Sequence, residues 1–313
     1  MAEIVKVEGL VKRYQELVAV DHFDLHVEEG EILALLGPNG SGKSTTINCI
    51  LSLLEFDKGS IQIFGKEMNP KAYDIKKRIG VVPQDIAVFD ELTVLENIDF
   101  FCGLYIKDKQ TRKQYVEEAI SFVGLEDFKK FRPKKLSGGL KRRLNIACGV
   151  AHKPDLIFFD EPTVAVDPQS RNKILEGIMQ LKEQGATIIY TSHYMEEVEQ
   201  LADKIVIIDK GQEIAKGTVA ELKSMIKKCE LITIEATGIS EEHLEQIHQL
   251  KNIYNVEYDG DILKVEAGSG KHNVVDIIGI LQNGGYSMKK VFSEQPTLND
   301  VFLELTGKQL RDE

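Results

Sequence analysis

Eight consecutive residues, 37–44, have the types and the spacing of a phosphate-binding loop. They read Gly-Pro-Asn-Gly-Ser-Gly-Lys-Ser and fit the pattern G-x-x-x-x-G-K-[ST] at each fixed position. The glycines let backbone N–H groups converge on phosphate oxygens, and a following helix start adds positive charge. We expect Lys43 to reach the β- and γ-phosphates of ATP and the Ser44 hydroxyl to bind Mg²⁺. The predicted ATP-binding residues of this segment are Gly37, Pro38, Asn39, Gly40, Ser41, Gly42, Lys43, Ser44 and Thr45.

Two adjacent acids end an apolar run further along the chain. Residues 156–159 read Leu-Ile-Phe-Phe, and Asp160 and Glu161 follow directly. Ligands gather at the carboxyl ends of the strands in a parallel sheet. We expect Asp160 to hold Mg²⁺ and Glu161 to activate or orient the attacking water. The alternative is a strand that simply ends in solvated acids, and the complete phosphate loop favours catalysis.

The elements that must position these residues follow from the apolar pattern. Unbroken apolar runs, which suit strands buried on both faces of a parallel sheet, occur at residues 32–36, 156–159, 187–190 and 205–208. Helical patterns separate them, and strand, helix, strand in this order predicts an α/β core. The segment from about 89 to 151 is helical in pattern and is predicted to be a helical subdomain inserted between two core strands.

The pattern changes near residue 227. Strands are predicted at 231–236, 253–258, 262–266 and 286–292, with helices at 240–250, 273–282 and 298–305. Asp259-Gly260-Asp261 is typical of a hairpin turn. The order β-α-β-β-α-β is that of a ferredoxin-like α+β unit. We therefore predict two domains, 1–227 and 228–313.

Composition narrows the functional class. The 313 residues carry a net charge of −11, which argues against nucleic acid as a partner because phosphate backbones require a basic face. The four cysteines lie far apart without metal-ligand or redox spacing. The N-terminus lacks a signal-peptide pattern, and no apolar run approaches the roughly 20 residues of a membrane span. We expect a chain that is soluble by itself, with any membrane span supplied by another subunit.

Further motifs complete a family pattern. Residues 136–140 read Leu-Ser-Gly-Gly-Leu, similar to the signature LSGGQ, and residues 164–167 read Val-Ala-Val-Asp, similar to a D-loop. Gln84, His193 and Tyr14 stand where a Q-loop glutamine, a switch histidine and an adenine-stacking aromatic are expected. With the phosphate loop and the Asp-Glu pair, the chain resembles the nucleotide-binding subunit of an ATP-binding-cassette (ABC) transporter over roughly residues 1–225. Leu140 and Ala165 depart from the usual Gln and Gly.

The resemblance implies a fold and a division of roles. The expected fold is a P-loop NTPase cassette whose helical subdomain carries the signature. Gln84 would ligate Mg²⁺, His193 would contact the γ-phosphate, and Asp167 would link two sites across a dimer. The signature would serve the nucleotide of the opposite subunit, through Leu136, Ser137, Gly138 and Gly139. Two copies would then enclose ATP, and a homodimer is favoured. Tyr14, taken alone, could instead be a residue of the core. The basic run 141–143 is interpreted as a solvated face.

The tail indicates which kind of cassette protein this is. Residues 296–307 are similar to the tail of the daunorubicin-resistance type of exporter ATPases. That similarity implies efflux of a drug, antibiotic, lipid or natural product through separate integral membrane permease subunits at the cytoplasmic face of the membrane. Residues 85–92 would lie near the permease. The alternative is a non-transport cassette ATPase, either regulatory or linked to nucleic acid. Three features argue against the known types of such ATPases: the short separation of Lys43 and Asp160, the single cassette, and the intact Glu161 and His193.

Overall fold

The structure is a computed structural model, which describes residues 2–226, 230–268 and 273–307. Its contacts divide the chain into two compact units with the boundary between Val219 and Ala220. The sequence predicts this boundary a few residues later, after residue 227. Each unit has a sheet and a core of its own, and each is described by itself.

The first unit contains ten strands and seven helices among the described residues. The strands are β1 (Glu3–Tyr14), β2 (Leu17–Glu28), β3 (Ile32–Leu36), β4 (Lys58–Ile63), β5 (Lys66–Glu67), β6 (Ile79–Val82), β7 (Leu156–Asp160), β8 (Thr187–Ser192), β9 (Lys204–Asp209) and β10 (Gln212–Gly217). The helices are α1 (Lys43–Ile50), α2 (Tyr73–Lys76), α3 (Val94–Gly103), α4 (Lys109–Phe122), α5 (Gly138–Val150), α6 (Pro168–Glu183) and α7 (Met195–Leu201). Helix α8 (Val219–Ser224) spans the boundary.

A six-stranded sheet in the order β10-β9-β3-β8-β7-β6 positions the candidate site. Its strands are parallel except β10, which is antiparallel to β9. Strands β3 and β8 are buried along their whole length, as their unbroken apolar runs predict. Because β3, β8 and β7 are neighbours, the loops that follow them meet at one edge of the sheet. These loops carry the phosphate loop, His193 and Glu161 respectively.

A second, antiparallel sheet has the order β2-β1-β4-β5. The pairing of β1 with β2 shifts register four times along the two strands. Bulges interrupt the alternation of buried and exposed side chains along β1, which weakens the sequence signal for a half-buried strand there. In β2 the alternation persists, because Phe23, Leu25 and Val27 are buried and the residues between them are exposed. The first residue of the phosphate cleft, Tyr14, is the last residue of β1.

Helices α3, α4 and α5 lie between β6 and β7, within the predicted segment 89–151. Each begins at a side-chain cap: Thr93 forms a capping box with Glu96, Asp108 accepts from the N–H of Thr111, and Ser137 accepts from the N–H of Leu140. A cap of this kind stabilises a helix by about 1 kcal/mol. The Ser137 cap fixes the start of α5 within the signature.

The second unit contains β11 (Glu230–Ala236), α9 (Glu241–His248), β12 (Ile253–Tyr258), β13 (Ile262–Ala267), α10 (Asn273–Asn283), β14 (Met288–Glu294) and α11 (Leu298–Thr306). The sheet order is β12-β13-β11-β14, and all pairs are antiparallel. Strand β13 therefore separates β11 from β12, which makes the split βαβ arrangement that the sequence predicts. None of the described helices in either unit is long and apolar enough to cross a membrane.

Candidate functional site

The phosphate loop links β3 to α1 through a backbone that glycine alone tolerates. Gly42 has φ +108°, and a Cβ built on it would lie 2.6 Å from the carbonyl oxygen of Ala19. A larger residue would therefore meet both backbone strain and a collision with β2. This packing holds the phosphate loop against β2, and Lys43 is the first residue of α1.

The side chain of Lys43 is buried, and its ammonium group contacts three oxygen atoms. The side chain is 4% exposed, and Nζ donates to the carbonyl oxygens of Gly37 (2.8 Å) and Pro38 (3.1 Å). It also forms an ion pair with Glu161, with 3.1 Å between Nζ and Oε1. The loop thus presents a fixed positive charge at its centre, and Glu161 is its charged partner.

Glu161 is held from two further sides. Its backbone N–H donates to the Thr191 hydroxyl (3.0 Å), and His193 Nδ1 donates to its Oε2 (3.1 Å). Burial acts to raise the pKa of the Glu161 carboxyl, but the His193 hydrogen bond and the charge of Lys43 outweigh it and leave the pKa below its ordinary value. The carboxylate is therefore ionised at neutral pH, as a water-orienting base must be.

The oxygen ligands expected for Mg²⁺ lie together at the same edge. Ser44 Oγ is 3.3 Å from Asp160 Oδ1, and Asp160 Oδ1 accepts a 2.6 Å hydrogen bond from Thr191 Oγ1. A hydroxyl and a carboxylate are hard oxygen donors of the kind that Mg²⁺ prefers. Gln84, the third predicted ligand, lines the same cleft. The residues present therefore fit a magnesium ion.

A cleft of about 570 Å³ joins these groups to Tyr14. Its lining comprises Tyr14, Leu17, Val18, Ala19, Asn39, Gly40, Gly42, Lys43, Ser44, Thr45, Gln84, Glu161 and Lys210. Tyr14 is 43% exposed, which excludes the core-packing alternative, and its ring has the Lys12 ammonium 5.1 Å from its centre. The volume is within the range of small-molecule sites.

Three groups of site residues are missed by sequence reasoning. Thr191 pairs with Asp160 in the register of β7 and β8, and the adjacency of these strand ends is the signal that could identify it. Lys210 follows β9, the other neighbour of β3, at the same edge. Residues 17–19 belong to β2, whose sheet no apolar run predicts.

The signature residues lie on a different surface. Ser137 Oγ accepts from the N–H of Leu140 (3.3 Å), Ser137 and Gly138 are exposed, and Leu136 is buried. A Cβ on Gly138 would have no described atom within 4 Å, whereas one on Gly139 would lie 2.3 Å from Ser170 Oγ. None of these four residues lines the cleft. The structure thus does not bring the signature to the chain's own phosphate loop.

The D-loop lies next to the signature. Asp167 caps α6 by accepting from the N–H of Ser170 (2.9 Å), and this hydrogen bond lowers the pKa of the Asp167 carboxyl. Ala165 has φ +58°, in the left-handed region that disfavours residues with a Cβ. The departure from glycine noted in the sequence therefore places an alanine where the backbone requires a positive φ.

The interpretation of residues 141–143 as a solvated basic face is wrong for two of the three. Arg142 is buried and donates from Nη1 to the carbonyl oxygen of Pro83 (3.1 Å), next to Gln84. Arg143 is half-buried and donates to the carbonyl oxygen of Val123 (2.8 Å). These arginines join α5 to neighbouring loops, because long side chains at a helix start can reach backbone carbonyls that a charge pattern does not reveal.

Comparison with known proteins identifies the family. The family model for the ABC transporter matches residues 20–164. The linearmycin resistance ATP-binding protein LnrL of Bacillus subtilis (strain 168) is 39% identical over 99% of this chain and 100% of that protein. The chain belongs to the family of ABC transporter ATP-binding subunits. The daunorubicin/doxorubicin resistance ATP-binding protein DrrA of Streptomyces peucetius is 34% identical over 98% of this chain and 94% of that protein.

Solved structures agree with this assignment. The bacterial ABC transporter cassette MJ0796, determined as a dimer, superposes with a TM-score of 0.64 at 27% identity, over 69% of this chain and 98% of that one. The same cassette in a post-hydrolysis state bound to ADP and Pi gives a TM-score of 0.64 at 28% identity. The predicted cassette fold and family resemblance are confirmed. The ABC ATP-binding subunit is an ATPase, with ATP as substrate and Mg²⁺ as cofactor.

Proposed function

We propose that this ABC ATPase powers the export of a drug, antibiotic, lipid or natural product through separate integral membrane permease subunits. The observation that carries the ATPase assignment is the convergence of Lys43, Glu161 and His193 within hydrogen-bonding distance. Export is supported by the names of full-length relatives, which include linearmycin and daunorubicin resistance proteins and a Nod factor export protein of Ralstonia nicotianae. These relatives favour transport over a regulatory or nucleic-acid-linked ATPase.

The residues predicted to bind and hydrolyse ATP have the following roles in this proposal. The glycines of the loop and Lys43 bind the phosphates, Tyr14 stacks on adenine, and Ser44, Gln84 and Asp160 hold Mg²⁺. Bound Mg²⁺ neutralises charge on the phosphates. Lys43 must exchange the Glu161 carboxylate for phosphate oxygens, so nucleotide binding frees Glu161. The ionised carboxylate then orients water and accepts its proton, and His193 fixes the position of that carboxylate.

The exposed signature is proposed to complete the site of a partner copy. Ser137 and Gly138 offer a hydroxyl and bare backbone at the start of α5, where the helix dipole favours an anion. Asp167, at the start of α6, is proposed to link the two sites across the dimer. A homodimer satisfies this arrangement, because one chain carries every element.

An aromatic cluster that begins shortly after Gln84 in the chain is proposed to receive the permease. Phe89, Phe100 and Phe101 contact one another with ring centroids 5.1–5.8 Å apart, and Phe89 and Phe100 are each more than two-fifths exposed. Exposed apolar groups of this density mark interaction surfaces. Docking there would place the chain at the cytoplasmic face of the membrane, and Gln84, which lines the nucleotide cleft, precedes Phe89 by five residues in the chain. Residues 1–227 and 228–313 are proposed to be separate domains, the second an accessory to the cassette.

Transport is tested in cells that lack the chain and its permease. Expressing both should lower the susceptibility of these cells to at least one compound of an antibiotic panel, whereas the permease with the Lys43→Ala chain should not, since the binding charge is gone. Purified Lys43→Ala protein should retain its fold by circular dichroism and lose roughly 100-fold or more in ATP affinity by calorimetry. Protection that persists with Lys43→Ala would contradict ATP-driven export.

A further inference from the structure

Helix α7 carries a buried carboxylate that the roles above do not use. Glu197 is 1% exposed, and its Oε2 accepts from Thr163 Oγ1 (2.7 Å), from Ser192 Oγ (3.3 Å) and from the Tyr190 hydroxyl. Its Oε1 pairs with Arg171 Nε at 2.5 Å. A buried charge is tolerated only when it is paired and hydrogen-bonded, and here four groups meet that requirement.

The partners of Glu197 come from the segments that carry the catalytic groups. Thr163 stands two residues after Glu161, and Ser192 directly precedes His193. Arg171 lies one turn into α6, and its N–H donates to the carbonyl oxygen of Asp167 (2.9 Å). One carboxylate therefore joins the loop after β7, the end of β8 and the start of the helix that follows the D-loop.

The network continues to the residue beside the switch histidine. Ser192 Oγ also accepts from the N–H of Tyr194 (2.9 Å), and the Arg171 guanidinium lies 4.9 Å from the centre of the Tyr194 ring. The rings of His193 and Tyr194 are 4.1 Å apart. Two of the four partners of Glu197, Ser192 and Arg171, thus constrain Tyr194, which flanks His193. Burial, followed by the nearby Glu197 carboxylate, raises the pKa of Tyr190 well above its ordinary value, so Tyr190 remains a donor.

We propose that Glu197 is a positioning residue for ATP hydrolysis, which holds His193 and the D-loop in one fixed arrangement. The inference rests on the proposed roles of Glu161, His193 and Asp167. Because Glu197 does not line the cleft, its substitution acts through the position of other groups. A displacement of about 1 Å at reacting groups can cost about 100-fold in rate. The expected effect is therefore on turnover, with nucleotide binding preserved.

The test compares Glu197→Gln, Arg171→Gln and the double variant in the full-length chain. Glutamine keeps the size of Glu197 and one acceptor oxygen but loses the ion pair with Arg171. We expect kcat to fall about 10- to 100-fold in Glu197→Gln, with KM for ATP within about twofold of the wild type. The double variant removes both charges and should recover part of the loss, because it leaves no unpaired buried charge.

Glu31 provides the matched control. It is a buried carboxylate, 7% exposed and paired with Lys204, at the end of β3 opposite the phosphate loop. Glu31→Gln should lower the melting temperature as a buried-charge change does and leave kcat unchanged. If Glu197→Gln and Arg171→Gln reduce only the melting temperature, Glu197 is structural and the proposal fails.

Two further outcomes are distinguishable. Should Glu197→Gln fail to fold, Arg171→Gln decides, since the Arg171 side chain is about one-third exposed and the Glu197 carboxylate keeps its three hydroxyl donors in that variant. A wild-type kcat for folded Arg171→Gln would then overturn the proposal. A wild-type chain without ATPase activity would instead contradict the proposed function itself.

Discussion

The phosphate loop and the signature are both helix starts suited to phosphate, yet they are built differently. Lys43 is buried, and each of its oxygen partners lies within the same chain. Gly138 is exposed, and a Cβ there would meet no described atom. Packing within one chain thus accounts for the position of Lys43 in the phosphate loop, whereas no described contact of Gly138 explains why the signature has a glycine there. The difference fits the proposal that the phosphate loop binds nucleotide within one chain and that the signature contributes to the site of a partner copy.

The largest effect is expected from Glu161→Gln. Glutamine cannot accept the proton of the attacking water, so kcat should fall about 10²- to 10⁴-fold. It also removes the ion pair that competes with phosphate for Lys43, so ATP affinity should stay equal or rise. Steady-state hydrolysis and calorimetry check the two parts, and size-exclusion chromatography with ATP should show a stable dimer. Turnover close to that of the wild type would refute the role of Glu161.

The sequence predicts the first region well and the second only through resemblance. The phosphate loop is contiguous, so eight consecutive residues are enough to predict that it binds phosphate. The position of Asp160 and Glu161 at the end of a buried strand is also predictable, because they directly follow an unbroken apolar run. The Lys43–Glu161 ion pair joins residues far apart in the chain, and its presence depends on the order of β3, β8 and β7, which local patterns do not specify.

The same distinction between local and long-range information explains which elements of the fold can be predicted from the sequence and which cannot. Strand β12 has the predicted bounds because its alternating residues are flanked by turns, and the β-α-β-β-α-β order follows from local periodicity alone. Strand β1 is not predicted because bulges break its alternation. Strand β2 is also missing from the prediction, although its buried Phe23, Leu25 and Val27 alternate with exposed residues and give a local strand signal. The charge pattern of residues 141–143 predicts a solvated face, but the burial of Arg142 and Arg143 depends on carbonyl groups at Pro83 and Val123, which belong to other parts of the chain.

An effect of intermediate size is expected from Gly138→Ala, a substitution at one of the two adjacent glycines of the signature. Gly138→Ala should leave the melting temperature unchanged or slightly raised, since alanine is favoured over glycine in a helix by up to about 1 kcal/mol. If Gly138 faces the nucleotide of a partner copy, the added methyl should lower ATPase activity about 10-fold while monomeric ATP binding persists. Titrating nucleotide by calorimetry and measuring hydrolysis separate the two properties.

Gly139→Ala is the internal comparison for Gly138→Ala. Its Cβ would lie 2.3 Å from Ser170 Oγ and 2.9 Å from Asp167 Oδ2, so the start of α6 must shift. We expect a loss of about 1–3 kcal/mol in the free energy of unfolding, measured by urea denaturation. Equal stability losses in the two variants would show that Gly138 also packs within the chain, and the contrast between the two regions would then disappear.

The smallest effect is expected at Ala165, in the D-loop beside the signature. Its φ of +58° costs an L-residue about 1–2 kcal/mol, and glycine avoids this strain. Glycine also gives the unfolded chain more freedom, which offsets about 0.4–1 kcal/mol. Ala165→Gly should therefore raise the free energy of unfolding by about 1 kcal/mol or less. If the alanine instead rigidifies Asp167 for a partner copy, ATPase activity should fall despite the gain in stability, and a rise in both would show that the strain serves no purpose at the interface.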